Sequence, residues 1–298
     1  MPTEARPKTV VVAGATGRLG VIVEILLARG HSVRAMTRDP SSPAAALLGG
    51  LGVDLVFGDF EDPASIETAA AGADALFATG TVHQAGPDGE LRHGRNVADG
   101  AAAAGVAHLV YSSGDGAAHD SPLPLFRVKA RVEEHIRSVG VGYTILAPVY
   151  FMENLFNPWN VPALSRGILP SPVPVDMPLQ QVAIADLAAL AALAIERGDE
   201  LAGQRIRVAS DELTAEQAAA AVASAVGLDL EAQRIAPEEL PSGPRALFDW
   251  LERVGHDVDI SALRRRYPEV GWRRYADWAR SKRSRFGQLV PRRPAVAS

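Results

Sequence analysis

The sequence predicts an α/β fold, a doubly wound parallel sheet followed by a smaller, mostly helical C-terminal domain. Three observations carry that prediction. Six short apolar runs alternate with helical patterns from Thr9 to Pro148, a glycine-rich turn stands directly between the first run and the first helix, and after Pro148 the alternation lapses into a proline-rich stretch before it resumes.

In chain order, residues 9–13, 32–36, 54–57, 75–78, 108–112 and 143–147 read as strands, with helices expected at 18–28, 41–48, 63–71, 90–104 and 126–139. Strands joined by helices of this length need crossover connections, so the sheet is parallel and covered on both faces. Six prolines fall within residues 157–178, which therefore suit neither a helix nor a central strand. The same stretch carries Trp159, Leu164, Ile168 and Leu169, too apolar for an idle linker. It reads either as a loop packed on the sheet or as a lid over a substrate cleft. A helix at 184–196 and a strand at 204–209 then complete the sheet. Thr214-Ala215-Glu216-Gln217 forms a capping box that opens an alanine-rich helix ending near Gly227. Helical patterns at 247–254 and 272–283 make up the rest of the smaller domain.

The chain has 298 residues, 47% of them hydrophobic, enough for one large domain or two modest ones with a core that needs no staples. It contains no cysteine, which excludes a disulfide framework, thiolate metal sites and a cysteine nucleophile. No metal site is expected. The N-terminus lacks the basic and apolar regions of a signal peptide, and no apolar run approaches the length of a membrane span. A cytoplasmic protein, monomer or homodimer, without membrane or nucleic-acid partners is expected. The net charge of −5 divides unevenly, with +9 on residues 261–298 and −14 on the remainder. The basic tail shares its segment with Trp272, Tyr275 and Trp278, so it reads more simply as one face of a packed helix than as a polyanion site. Only three lysines, Lys8, Lys129 and Lys282, stand against 27 arginines. That bias, the mark of a GC-rich coding sequence, makes each lysine a position to check for a role arginine cannot fill.

Gly14-Ala15-Thr16-Gly17-Arg18-Leu19-Gly20 follows the first strand and opens the first helix. In that context the glycines allow a tight turn and let backbone N–H groups approach a pyrophosphate at a helix N-terminus. Gly14, Thr16, Gly17, Arg18, Leu19 and Gly20 are the candidate dinucleotide-binding residues, in the manner of a Rossmann fold. At the end of the second strand, Thr37-Arg38-Asp39-Pro40 offers a planar cation for a 2′-phosphate, which favours NADPH over NADH. Asp39 would spoil that reading by pairing with Arg38. Residues 1–155, completed by 183–210, are thus expected to form an NADP-binding domain, 156–182 the lid, and 211–298 a small substrate-binding domain.

Together with Gly58-Asp59-Phe60, Val110-Tyr111-Ser112-Ser113-Gly114, Lys129 and residues 148–154 (Pro-Val-Tyr-Phe-Met-Glu-Asn), these motifs resemble the NmrA-like atypical short-chain dehydrogenase/reductases. The resemblance covers residues 8–210 and reaches the tail only loosely. It implies Asp59 and Phe60 beside the adenine, Thr79 and Gly80 on the ribose side, and Lys129 on the nicotinamide ribose. It places Pro148, Tyr150 and Phe151 at the nicotinamide. The plain alternative for Lys129 is a helix-surface pair with Glu133, four residues on.

The sequence departs from the wider superfamily at Leu125, four residues before Lys129, where the proton-donating tyrosine belongs. Ser113 and Tyr150, with Lys129, are the candidate catalytic residues, and His83 and His119 are further candidate donors. Asn154 is either an orienting amide or a helix cap. Two readings follow: a reductase whose acceptor needs no tyrosine, such as a quinone or a polycyclic aromatic ketone of polyketide type, or a non-catalytic NADP(H) sensor.

Overall fold

The computed structural model describes residues 6–118, 121–236, 238, 240 and 242–290. The first six strands form where the apolar runs predict them: β1 (Thr9–Ala13), β2 (Ser32–Thr37), β3 (Asp54–Phe57), β4 (Ala75–Thr79), β5 (His108–Ser112) and β6 (Gly142–Pro148). Five strands that the sequence did not announce are interleaved with the expected one near residue 204. They run as β7 (Tyr150–Phe151), β8 (Ile168–Ser171), β9 (Leu179–Val182), then the expected β10 (Gln204–Val208), β11 (Asp211–Leu213) and β12 (Glu231–Arg234). At two to four residues each, the unexpected strands are too short to show an alternation.

The seven-stranded sheet has the order β10-β6-β5-β4-β1-β2-β3, and β1 to β6 pair in parallel. The predicted doubly wound fold is therefore what forms. Strand order reverses between β1 and β4, the topological switch point at whose carboxyl ends open α/β sheets bind ligands. The connecting helices are α1 (Val21–Ala28), α2 (Pro43–Gly49), α3 (Pro63–Ala70), α4 (Val82–Ala103) and α5 (Pro124–Ser138). On one face Val11, Leu76, Leu109 and Tyr111 pack against Ile66 of α3, Val97 and Ala101 of α4, and Val132 and Ile136 of α5. Their neighbours Val10, Val12, Phe77 and Val110 point the other way and are equally buried, as a sheet covered on both faces requires.

Two helices begin earlier than the sequence suggests. α5 starts with Pro124 in its first turn, where a missing N–H costs nothing, so Leu125 is already helical. α4 starts at Val82 rather than Glu90 and is broken at Gly86, whose φ of +68° interrupts the ladder just before Pro87. Two glycines and a proline in residues 82–89 hide the helical start from any reading by propensity.

The chain divides into two units, Met1–Pro148 with Leu187–Arg207, and Val149–Asp186 with Val208–Ser298. Helix α7 (Ile184–Glu196) crosses that division, and α8 (Gly198–Leu201) lies in the first unit. Residues 156–182, expected as a separate lid, lie within the second unit. There Pro162 sits in the first turn of the one-turn helix α6 (Val161–Leu164), and Pro170 sits in β8, which pairs only with β12. A short helix with proline at its start and an outlying strand are the two places that tolerate this composition. Leu164 and Leu169 join a core with Val222 of α9 (Ala215–Val226) and with Tyr275, Trp278 and Phe286. The capping box forms as read, with Thr214 and Gln217 bonded reciprocally and Gly227 closing α9 in the left-handed region.

The basic tail contributes to this unit's structure. Buried Asp186 accepts from the Arg273 backbone at 2.9 Å and from its guanidinium, and Arg264 donates to the carbonyl of Ser210 at 2.7 Å. These arginines are structural cations rather than a purely solvated face. Among the described residues, no helix is long and apolar enough to cross a membrane.

Candidate functional site

The glycine turn takes the shape its sequence asks for. Gly14 sits at φ +75°, a conformation side chains rarely adopt, and its carbonyl accepts from Gly17 N–H at 2.9 Å. At Gly20 a Cβ would lie 2.0 Å from the Ala15 carbonyl oxygen, so no other residue fits. The turn buries Leu19 and leaves Thr16, Gly17 and Arg18 exposed ahead of α1. Phe60 lies against it, its ring tip 3.9 Å from where a Gly14 Cβ would be. Asp59, half-buried, uses its carboxylate to accept from Glu61 N–H at 3.0 Å.

At the end of β2, Asp39 does not pair with Arg38. Its carboxylate accepts from the Ser41 hydroxyl at 2.5 Å and the Ser41 backbone at 2.9 Å, contacts that hold it below the usual carboxylate range. Arg38 is left exposed. The sequence feature that threatened the 2′-phosphate reading is thereby removed.

Lys129 is buried, and its partner is Glu90 of α4, not Glu133. Its ammonium donates to Glu90 Oε1 at 2.7 Å, and Glu90 is fully buried. Two glycines shape the slot around the lysine. A Cβ on Gly80 would come within 2.6 Å of Lys129 Nζ and 2.5 Å of Glu90 Oε1, and one on Gly114 within 3.2 Å of Lys129 Cδ. Among the described residues Glu90 Oε2 has no hydrogen-bond partner, and neither has the buried hydroxyl of Tyr111 on β5. Both residues line one cleft with Phe60, Thr79, Gly80 and Thr81. Burial pushes the Tyr111 phenol well above its ordinary value, and the carboxylates of Glu90 and Glu133 push it the same way, so it keeps its proton.

His93 edges this cleft, a residue the sequence reading missed because a lone histidine in a helix carries no motif. Its Nε2 donates to Glu61 Oε1 at 2.8 Å, since a carboxylate only accepts. Its Nδ1 shares a hydrogen bond with the Thr81 hydroxyl, also at 2.8 Å. Arg92, and after it His93, hold the Glu61 carboxyl down to about 2.

Ser113 points elsewhere. Its hydroxyl donates to Glu133 Oε1 at 2.6 Å, while Glu133 Oε2 accepts from Arg137 at 2.8 Å and Arg205 at 2.9 Å. Leu125, half-buried, stands one helical turn before Lys129.

Pro148 ends β6 in the first unit, whereas Tyr150 and Phe151 form β7 of the second, paired in parallel with β9. The Tyr150 ring meets Phe248 edge-on at 6.4 Å. Asn154 lies in the turn of 3₁₀-helix after β7, where its backbone carbonyl accepts from Asn160 Nδ2 at 2.9 Å. His119 and the side chain of His83 lie outside the described residues. Among those described, no group of three or more metal-ligating side chains comes together.

With this geometry in view, residues 6–250 match the NmrA-like family. The chain belongs to the NmrA-like family. Among related members, a (4-alkanoyl-5-oxo-2,5-dihydrofuran-3-yl)methyl phosphate reductase of Streptomyces griseus subsp. griseus is 30% identical over 261 residues, covering 87% of this chain and 82% of its own. An NAD(P)H azoreductase of Xenophilus azovorans is 31% identical over 147 residues, 49% of each chain. The chain spans about half the length of several curated relatives it matches. The solved NADPH-dependent quinone oxidoreductase of Escherichia coli in complex with NADPH is 25% identical, with a TM-score of 0.74 over 91% of this chain and 98% of that one.

Proposed function

We propose that this NmrA-like protein is an NADPH-dependent reductase acting on a quinone or a polycyclic aromatic ketone, of the polyketide type. The observation that carries the reading is the buried Lys129–Glu90 pair set against Gly80 at the switch point of the sheet. A buried ion pair is weak evidence for stability, since desolvation offsets much of its attraction. Its position beside an unmatched acceptor and an unmatched donor suits a site better than a scaffold.

The residues present fit the cofactor. Gly20 admits no Cβ, Thr16, Gly17 and Arg18 are solvent-exposed at the head of α1, and Asp39 bonds to Ser41 rather than to Arg38. Gly14 to Gly20 would hold the pyrophosphate, Arg38 the 2′-phosphate, Asp59 and Phe60 the adenine, and Thr79, Gly80 and Lys129 ribose hydroxyls. NADPH, when bound, supplies a hydride. Lys129 contributes its ammonium, and the hydrogen bond to Glu90 orients it. Leu125 exchanges no proton, so the acceptor must tolerate its own developing charge. A quinone spreads that charge over its ring, and an aryl ketone with a neighbouring phenol meets it internally.

Leu125 also supports a second reading, a dinucleotide sensor without turnover. The two separate when NADPH absorbance is followed with naphthoquinones, anthraquinones and hydroxylated aryl ketones. Oxidation by at least one acceptor is expected, with Lys129→Ala strongly reducing turnover while still binding NADPH more weakly. Tight NADPH binding with no oxidation by any acceptor establishes the sensor. Arg38→Ala is expected to weaken NADPH about tenfold or more relative to NADH, the loss of a charge-assisted contact; equal losses overturn the 2′-phosphate assignment.

A further inference from the structure

We propose that Ser41 sets the cofactor preference: its hydroxyl holds the Asp39 carboxylate away from Arg38 and so keeps that guanidinium available to a 2′-phosphate. The end of β2 carries two opposed determinants side by side. An acidic residue there hydrogen-bonds the ribose 2′-hydroxyl of NADH, and an arginine accommodates the 2′-phosphate of NADPH. Arg38 and Asp39 are adjacent and both exposed, so their identities alone leave the choice open. Which nucleotide is favoured then depends on where the aspartate is held. An unrestrained Asp39 disfavours NADPH twice, by pairing with the arginine and by facing the phosphate with like charge.

The turn after β2 restrains it. The Ser41 hydroxyl donates to Asp39 Oδ1 at 2.5 Å, and the Ser41 N–H donates to the same oxygen at 2.9 Å. The Asp39 carbonyl accepts from the Ser42 hydroxyl at 2.8 Å and from the Ser42 N–H at 3.2 Å, while the Asp39 N–H donates to Thr37 Oγ1 at 3.3 Å. Backbone and side chain of the aspartate are thus engaged within one turn, and Pro40 between Asp39 and Ser41 fixes a dihedral of that turn. The hydroxyl, ahead of the N–H, also holds the Asp39 carboxyl below its usual range, so the group to be restrained is an anion at neutral pH. Of the two bonds to Oδ1, any residue but proline at position 41 would supply the one from the backbone. The second needs a hydroxyl. Ser41 is therefore a positioning residue, acting on the cofactor through Asp39 and Arg38. The proposal rests on the 2′-phosphate assignment of Arg38 made above, and it concerns binding rather than turnover.

The test is titration of the full chain with NADPH and with NADH in dilute buffer, where charge effects are least screened, read by nicotinamide fluorescence. Ser41→Ala is expected to lower the NADPH-to-NADH affinity ratio about threefold to fivefold, the scale of one exposed ion pair gained between Asp39 and Arg38. Ser41→Thr, which keeps the hydroxyl, is expected to keep the ratio. Adding Asp39→Asn to Ser41→Ala is expected to restore it, because a neutral amide neither pairs with the arginine as an ion nor repels the phosphate. Equal losses for the two nucleotides in Ser41→Ala mark a purely structural turn and overturn the proposal. A lowered ratio that Asp39→Asn does not restore overturns it as well, since the hydroxyl then acts on the phosphate directly. A ratio that falls in Arg38→Ala but not in Ser41→Ala overturns this proposal alone, whereas equal losses in Arg38→Ala overturn the 2′-phosphate reading and this proposal with it.

Discussion

Helix α5 holds two residues of opposite charge one turn apart, Lys129 and Glu133, and the sequence invites pairing them with each other. The structure does the reverse. Glu133 turns to Ser113, Arg137 and Arg205 and has both oxygens matched, while Lys129 crosses to Glu90, whose second oxygen is unmatched beside the equally unmatched Tyr111 hydroxyl. The two carboxylates are comparably buried, so burial alone does not separate them. What differs is completeness. A saturated network fixes the chain ends around it, whereas an unsaturated one retains bonding capacity for something that arrives later.

The largest effect expected from this contrast is on stability when Lys129 is lost. Lys129→Met leaves Glu90 without its cation and should cost about 3 kcal/mol or more, read from urea unfolding. The double variant Glu90→Leu with Lys129→Met should recover most of it; no recovery means the pair does more than neutralise itself. His108 offers the control of a buried group with no ionic partner. Thr144 donates to the Leu201 carbonyl and so accepts from His108 Nε2 at 2.9 Å, and burial, then the charge of Lys8, holds the imidazole down to about 4. The unfolded ring takes its proton near 6.5, so between pH 6.5 and 4 the unfolded state binds more protons and stability falls as pH drops. The loss should reach about 3 kcal/mol by pH 4 and flatten in His108→Gln.

Smaller effects distinguish the two carboxylates directly. Ser113→Ala removes a hydrogen bond to a charged group and should cost about 1–2 kcal/mol in thermal unfolding. Tyr111→Phe removes a hydroxyl that has no partner and should be neutral or stabilising by less than about 1 kcal/mol. A larger cost for Tyr111→Phe than for Ser113→Ala would invert the comparison and make the Glu90 side the structural one.

Much of this was legible in the chain itself. The first six strands, the glycine turn and the capping box at Thr214 are local patterns whose period or spacing survives in a single sequence. Lys129 was marked by rarity, and its partner was not, because Glu90 lies 39 residues away on a helix whose start is disguised by Gly86 and Pro87. His93 and its bonds to Glu61 and Thr81 are legible only in three dimensions, since nothing local distinguishes a partnered histidine from a solvated one. The strands β7 to β9, β11 and β12 are too short for periodicity, and proline statistics concealed how much of residues 156–182 is packed.

The slot formed by Gly80 and Gly114 has a further consequence for how this chain varies. Both the stem and the tip of Lys129 lie where a Cβ on Gly114 or Gly80 would crowd them, so a wider, flat guanidinium is expected to fit less well than the unbranched amine. In a chain with three lysines against 27 arginines, the close approach of Gly80 and Gly114 is a physical reason for lysine at this position. Lys129→Arg, the mildest substitution on paper, is therefore among the least tolerable at this address, and restoring it would require carving the channel before changing the occupant.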